Sequence, residues 1–197
     1  MAAADTDAEV IARSLDRPQR FEAIFDRHAI SVHRYLRRRV GERLAEELTA
    51  EAFMRAFRAR RQFDTSHESA LPWLYGIAVN LIRMHVRSEQ RRERAYRVLA
   101  QRPDQPSSTN EADDRLDAQA LRPVLSEALA GLSPDQREVL LLHAWAGLSP
   151  AEIAEALAVS SATVRKRLHR ARAKAADQLK RHDQEAIDTV SQTRTAQ

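Results

Sequence analysis

Between residues 160 and 180 the chain sets seven cations, Arg165, Lys166, Arg167, Arg170, Arg172, Lys174 and Lys180, against one acid, Asp177. A guanidinium is a planar, always-charged fork of donors that matches phosphate oxygens and the acceptor edge of guanine. Such side chains at turn spacing on one helix have the chemistry of a duplex-DNA reader. A second basic run, Arg83, Arg87, Arg91, Arg92, Arg94 and Arg97, follows Trp73 and Tyr75. Aromatic faces beside cations suit single-stranded nucleic acid, whose bases stack and whose phosphates carry charge. Trp73 taken alone reads more readily as core filling and Tyr75 equally well as either, so the stacking role stays open at this level. Covalent chemistry has no comparable signal. His28, His33, His67, His85, His143, His169 and His182 show no metal-binding spacing, no glycine-rich phosphate loop is present and there is no cysteine. The sequence therefore predicts no catalytic residue, no metal and no cofactor.

These side chains must be carried by helices. Only four glycines occur in 197 residues, too few for the turns of an all-β or βαβ fold, and alanine, leucine, arginine and glutamate dominate. The expected class is all-α. Of the 32 cations, 29 are arginine, which fits either a composition bias or selection for the guanidinium fork; the placement of charge is more telling. Residues 18–100 carry a net +7, residues 101–120 a net −3 and residues 121–180 a net +3. Residues 101–120 hold Pro103, Pro106 and a run of acids from Glu111 to Asp114. Such a segment cannot bury enough surface to offset its ordering entropy, so it predicts a flexible acidic linker between two small helical domains. Residues 1–17 and 181–197 are expected to be a poorly ordered N-terminus and a C-terminal tail. No apolar run approaches the length of a membrane span, and the acidic N-terminus lacks a secretion signal, which together predict a cytoplasmic chain without membrane insertion.

The second domain has clear start and stop signals. Ser133-Pro134-Asp135-Gln136 supplies an N-cap, a proline at the first helical position and a reciprocal cap, with an end at Gly147. Ser149-Pro150-Ala151-Glu152 repeats the device for a short helix striped by Ile153, Ala154 and Leu157. Ala158-Val159-Ser160 then turns into a helix from about Ser161, whose buried face is Val164, Leu168 and Ala171. A short helix, a tight turn and a basic second helix describe a helix-turn-helix rather than a plain bundle with a solvated charged face. Ser161, Thr163, Arg165 and Lys166 lie at the base-facing end; Arg167, Arg170, Arg172 and the Ser149 cap are placed to meet phosphates.

In the first domain, two helices break near Gly41. Phe21, Ile24, Phe25, His28, Val32, Tyr35 and Leu36 stripe the first, and Leu44, Leu48, Ala52, Phe53, Ala56 and Phe57 the second. A polar loop at 64–69 precedes a third helix with Ile77, Leu81, Ile82 and Val86 on its apolar side.

In this order, Tyr35-Leu-Arg-Arg-Arg-Val-Gly41, Ala45-Glu-Glu-Leu-Thr-Ala-Glu-Ala-Phe53, Pro72-Trp-Leu-Tyr-Gly-Ile-Ala-Val-Asn80, Leu132-Ser-Pro-Asp-Gln-Arg-Glu-Val-Leu140 and Thr163-Val-Arg-Lys-Arg-Leu-His-Arg-Ala-Arg172 resemble the extracytoplasmic-function group of bacterial sigma-70 factors. The resemblance covers about residues 18–180. It implies that 18–100 is region 2 and 121–180 region 4, in a dissociable subunit that directs RNA polymerase to promoters and helps open them. It further implies that Glu46, Glu47, Leu48, Thr49, Glu51 and Phe53 dock on the polymerase clamp helices. Asp64, Thr65, Ser66 and His67 belong by resemblance to a loop capturing an extruded base of the −10 element, with Trp73, Tyr75, Asn80, Arg83 and Arg87 beside the opened strand or upstream duplex. Ser161, Thr163, Arg165, Lys166 and Arg170 match the helix that reads the −35 element. The implied partners are core RNA polymerase, at its clamp helices and flap, promoter DNA and an anti-sigma factor. The chain departs from the common pattern at Glu47, usually Asp, and Ala50, usually Gln. Ala158 replaces a frequent glycine, which alanine can do only if the backbone keeps a negative φ.

A conventional helix-turn-helix regulator is the competing reading. It calls for an upstream receiver or effector domain, and residues 18–100 show no such pattern.

Overall fold

A computed structural model describes residues 5–100 and 122–195, with side chains described over 5–96 and 126–181. The expected acidic linker, 101–120, lies outside the described residues. The chain divides into two compact units, and every described regular element is helical.

The first unit opens with α1 (Asp7–Ser14). Thr6 caps it: Thr6 Oγ1 accepts from the Glu9 N–H at 3.3 Å, and Glu9 Oε2 accepts from the Thr6 N–H at 2.9 Å. This reciprocal pair satisfies two donors that the first turn leaves open. Val10, Ile11 and Ser14 are buried, so the expectation of a poorly ordered N-terminus is corrected: 7–14 is a capped helix with an apolar face. Helices α2 (Glu22–Val40) and α3 (Glu42–Ala59) follow. Gly41, between them, adopts φ 80° and ψ 168°, which glycine alone reaches without strain. Helix α4 (Leu71–Ala100) completes the unit.

Ile24, Val32, Tyr35 and Leu36 from α2, Leu48 and Phe53 from α3, and Leu74, Val79 and Ile82 from α4 form the core. Ala45, Ala52, Ala56 and Ala78 are wholly buried among them, small enough to let the helices approach closely. Two stripe assignments change. Phe25 is 45 % exposed, meeting Phe53 edge-on with centroids 4.9 Å apart, and Val86 is exposed. Both lie where the helix surface leaves the core.

The second unit holds α5 (Arg122–Ala130), α6 (Pro134–Trp145), α7 (Pro150–Leu157) and α8 (Ser161–Thr195). Ser133 and Gln136 cap α6 reciprocally, and Ser149 and Glu152 do the same for α7. Arg137 on α6 donates to the Leu129 and Ala130 carbonyls at 2.9 and 3.2 Å, closing the open end of α5. The core is Leu132, Val139, Leu142, Leu148, Ile153, Ala154, Val164, Leu168 and Ala171. Ala158 has φ 52°. The condition of a negative φ therefore fails, and an alanine stands in the left-handed conformation that usually calls for glycine. The segment expected to be a C-terminal tail from 181 is helical through Thr195 as the continuation of α8. No helix among the described residues is long and apolar enough to cross a membrane.

Candidate nucleic-acid interface

Helix α8 begins at a cap that the residue types alone anticipated only as a turn. Ser160 Oγ accepts from the Thr163 N–H at 3.2 Å and lies 2.9 Å from Thr163 Oγ1. With Val164, Leu168 and Ala171 buried, the 3.6-residue repeat turns Arg165, Lys166, Arg170 and Arg172 outward, and all four are exposed. None has a carboxylate partner among the described residues. Arg165 and Arg172 also line, with His143, Pro150, Leu168 and His169, a groove at the start of α7. Unpaired cations rising from a rigid helix require no rearrangement to meet phosphates or base edges.

Two members of the predicted set are otherwise engaged. Arg167 is half-buried and bonds through Nη2 to the Asp135 carboxylate on α6, so it braces α8 instead of facing outward. At Ser149 the main-chain N–H donates to Glu152 Oε2 at 2.8 Å and Oγ accepts from the Glu152 N–H at 3.3 Å. A carboxylate thus occupies the site where a phosphate was expected. Ser161 and Thr163 are half-buried in the first turn of the helix, within a turn or so of Arg165 and Lys166.

In the first unit, the loop between Phe63 and Leu71 is shaped locally. Asp64 Oδ1 accepts from the Ser66 N–H at 2.9 Å, and the Asp64 carbonyl from the His67 N–H at 3.2 Å. The main-chain bond from Ser66 is the chief cause holding the Asp64 carboxyl below its ordinary range, helped by the Ser66 hydroxyl, opposed by desolvation and helped least by His67. Asp64, Thr65 and Ser66 are exposed and His67 half-exposed. Phe63 is buried against Trp73, centroids 5.2 Å apart, which anchors one end of the loop and leaves Trp73 half-exposed beside it.

The open question over the two aromatics resolves differently for each. Tyr75 is 2 % exposed, lies edge-on to Tyr35 at 5.2 Å, donates to the Ser31 carbonyl at 3.4 Å, and burial pushes its hydroxyl pKa up. It is a core residue with no face for a base, so its place beside the DNA strand is corrected. Asn80 and Arg87 are exposed and Arg83 half-exposed on the same side of α4, near the exposed Met84.

Of the residues implied in polymerase docking, Glu46 and Glu47 are exposed on α3 and Glu51 is half-exposed, bonded to Arg55 at 2.7 Å. Leu48, Thr49 and Phe53 are buried, with Thr49 Oγ1 donating to the Ala45 carbonyl at 2.7 Å; Leu48 and Phe53 hold α3 in place, and Thr49 reaches only the floor of a neighbouring groove. Sequence reading missed a largely apolar groove lined by Phe25, Ala29, Ile30, His33 and Thr49 and edged by Arg34 and Arg37. Its clearest mark in the sequence is Ile30, an isoleucine off the buried stripe of α2 and 70 % exposed.

Comparison with known proteins agrees with both units. Residues 24–92 match the family model "Sigma-70 region 2" and residues 123–174 match "Sigma-70, region 4", the parts that define an RNA polymerase sigma factor. The chain is 30 % identical over 149 residues to the ECF RNA polymerase sigma factor SigL of Mycobacterium tuberculosis, covering 75 % of this chain and 81 % of that one. It is 36 % identical over 151 residues to the RNA polymerase sigma factor CarQ of Myxococcus xanthus, covering 76 % and 83 %. The chain belongs to the extracytoplasmic-function group of the sigma-70 family. Two solved structures share its fold at 23 % identity: CnrH in complex with the cytosolic domain of CnrY, with a TM-score of 0.63 over 88 % of this chain and 97 % of that one, and RpoE in complex with the anti-sigma factor NepR from Bartonella quintana, with a TM-score of 0.57 over 84 % and 97 %. The chain is thus an RNA polymerase sigma factor acting in transcription initiation, and the regulator alternative falls away because region 2 occupies the place where an effector domain was required.

Proposed function

We propose that the two units divide promoter recognition between them, α8 reading the −35 element and the loop at 64–69 with the exposed side of α4 holding the opened −10 strand. What carries this reading is the exposure of Arg165, Lys166, Arg170 and Arg172, without a carboxylate partner among the described residues, opposite the buried Val164, Leu168 and Ala171. Arg165 and Lys166, near the start of α8, act on base edges with Ser161 and Thr163, while Arg170 and Arg172 neutralise phosphates. Asp64, Thr65, Ser66 and His67 offer short polar groups to an extruded base; Trp73 flanks it, and Asn80, Arg83 and Arg87 meet the backbone. Binding energy from the duplex and from polymerase then offsets unstacking of the −10 strand, a step costing a few kcal/mol per base.

Polymerase docks on α3 through Glu46, Glu47 and Glu51, with the neighbouring groove around Ile30 supplying apolar contact. The chain acts in the cytoplasm without covalent chemistry of its own. An anti-sigma factor, of the kind bound to RpoE, is its regulator.

The experiment is transcription by core polymerase supplied with the purified chain on a promoter selected by that holoenzyme. Changing Arg165 should weaken the response to −35 substitutions, and changing Asp64 to His67 should alter −10 preference. Equal loss at both elements from either change, or failure to bind core polymerase, would overturn the division.

A further inference from the structure

Helix α1 lies outside the matched region-2 span yet reaches the loop assigned to the −10 strand. The Asp7 N–H donates to the Glu68 carbonyl at 3.1 Å, and the Ala70 N–H donates to Asp7 Oδ2 at 2.9 Å. These two links bracket Ser69 and fix the second half of the loop. The same carboxylate receives His28 Nε2 at 2.6 Å and Arg27 Nη1 at 2.8 Å from α2. Asp7 is 6 % exposed, at the first turn of a helix held by its Thr6–Glu9 cap and by Val10 and Ile11. A buried carboxylate is tolerated only where it is paired and hydrogen-bonded, and here each of its partners ties one element to another. The first half of the loop is fixed separately, by Phe63 against Trp73 and by the Asp64 turn.

We infer that Asp7 is a positioning residue that joins α1, α2 and the 64–69 loop, holding the loop in the shape that receives the −10 base. This rests on the assignment of that loop to the −10 strand. A loop already ordered in the free chain loses less entropy when it closes on its ligand, so α1 belongs to promoter recognition even though it meets no DNA. Asparagine at this position keeps an oxygen for the Ala70 N–H but loses the charge that draws Arg27, so it should behave as a partial replacement.

The test uses the full chain bound to core polymerase, with Asp7→Ala, Asp7→Asn and, as a core variant away from the clamp, Leu36→Ala. Hydrogen exchange over residues 65–70 reports the clamp directly. Binding of a single-stranded −10 oligonucleotide and of a −35 duplex reports its effect. Loss of hydrogen bonds to a charged group predicts loop exchange faster by about tenfold in Asp7→Ala, a similar loss of −10 affinity with blurred base preference, and −35 affinity within about twofold of the unaltered chain. Asp7→Asn should fall between, and Leu36→Ala should lower the melting temperature while leaving loop exchange and −10 preference intact. Unchanged loop exchange in Asp7→Ala overturns the clamp. Faster exchange with unchanged −10 binding overturns its role in recognition, as does a −10 loss in Leu36→Ala that matches its loss of stability. If the unaltered holoenzyme shows no −10 preference, the loop assignment itself falls and takes the inference with it, a result distinct from failure of Asp7 alone.

Discussion

Arg165 and Arg167 sit two positions apart on one helix, yet they should respond oppositely to truncation. Arg165 is exposed and, among the described residues, unpaired, so on the proposed reading Arg165→Ala should cost about 1–3 kcal/mol of −35 binding and relax preference at one base pair, with the melting temperature unchanged. Arg167→Ala removes the bond to Asp135 and should act on stability, by about 1 kcal/mol or less because the pair is partly exposed, with little change in base preference. Measuring binding to a set of substituted −35 duplexes beside thermal melts of each variant checks both. Ala158 offers a third case. Its φ of 52° is disfavoured for a side chain bearing Cβ, so Ala158→Gly should raise the stability of the second unit by about 0.5–1 kcal/mol, after glycine's own entropic penalty. A thermal melt showing no gain would mean that the turn holds alanine without strain.

The elements were largely legible because their ends are marked chemically: Ser133 with Gln136, Ser149 with Glu152, and the break at Gly41. Helix α1 carries an equally plain mark in Thr6 and Glu9. Its shortness and acidity hid it, because neither reveals that Asp7 has partners twenty residues or more away in the chain. For the same reason periodicity placed Tyr75 on the right helix without giving its direction, which depends on Tyr35 and Ser31 in α2. The Asp7 network gives α1 a pH signature. Burial alone would raise the Asp7 carboxyl, but bonds from His28, the Ala70 N–H and Arg27 outweigh it and hold the group well below the usual carboxylate range. A depressed folded pKa adds stability above the unfolded value of about 3.9, and this stability is lost as pH falls from there toward the folded value. Melting temperature of the first unit should therefore hold from neutral pH to about 5 and drop below about 4, and Asp7→Asn should flatten that drop. An identical acid profile in the variant would count against the network as its source.

At the scale of the whole molecule, a net charge of only +4 gives little attraction for DNA, whereas cations collected on one side of α8 and along α4 give a great deal locally. Because the two surfaces sit in separate units, their salt responses should separate as well. Each phosphate neutralised releases counterions and contributes about 0.9 to the slope of log affinity against log salt on duplex DNA, and about 0.7 on a single strand. Arg170→Ala should therefore lower the slope measured on a −35 duplex by about one and leave the slope on a single-stranded −10 probe unchanged. Arg87→Ala should do the reverse, with a smaller decrement of about 0.7 on the single strand. Titrating each probe against the polymerase-bound chain over a range of potassium chloride concentrations reads both slopes from one preparation. If either substitution lowered both slopes together, the two basic surfaces would have to act on one stretch of DNA, and the division between the units would fail.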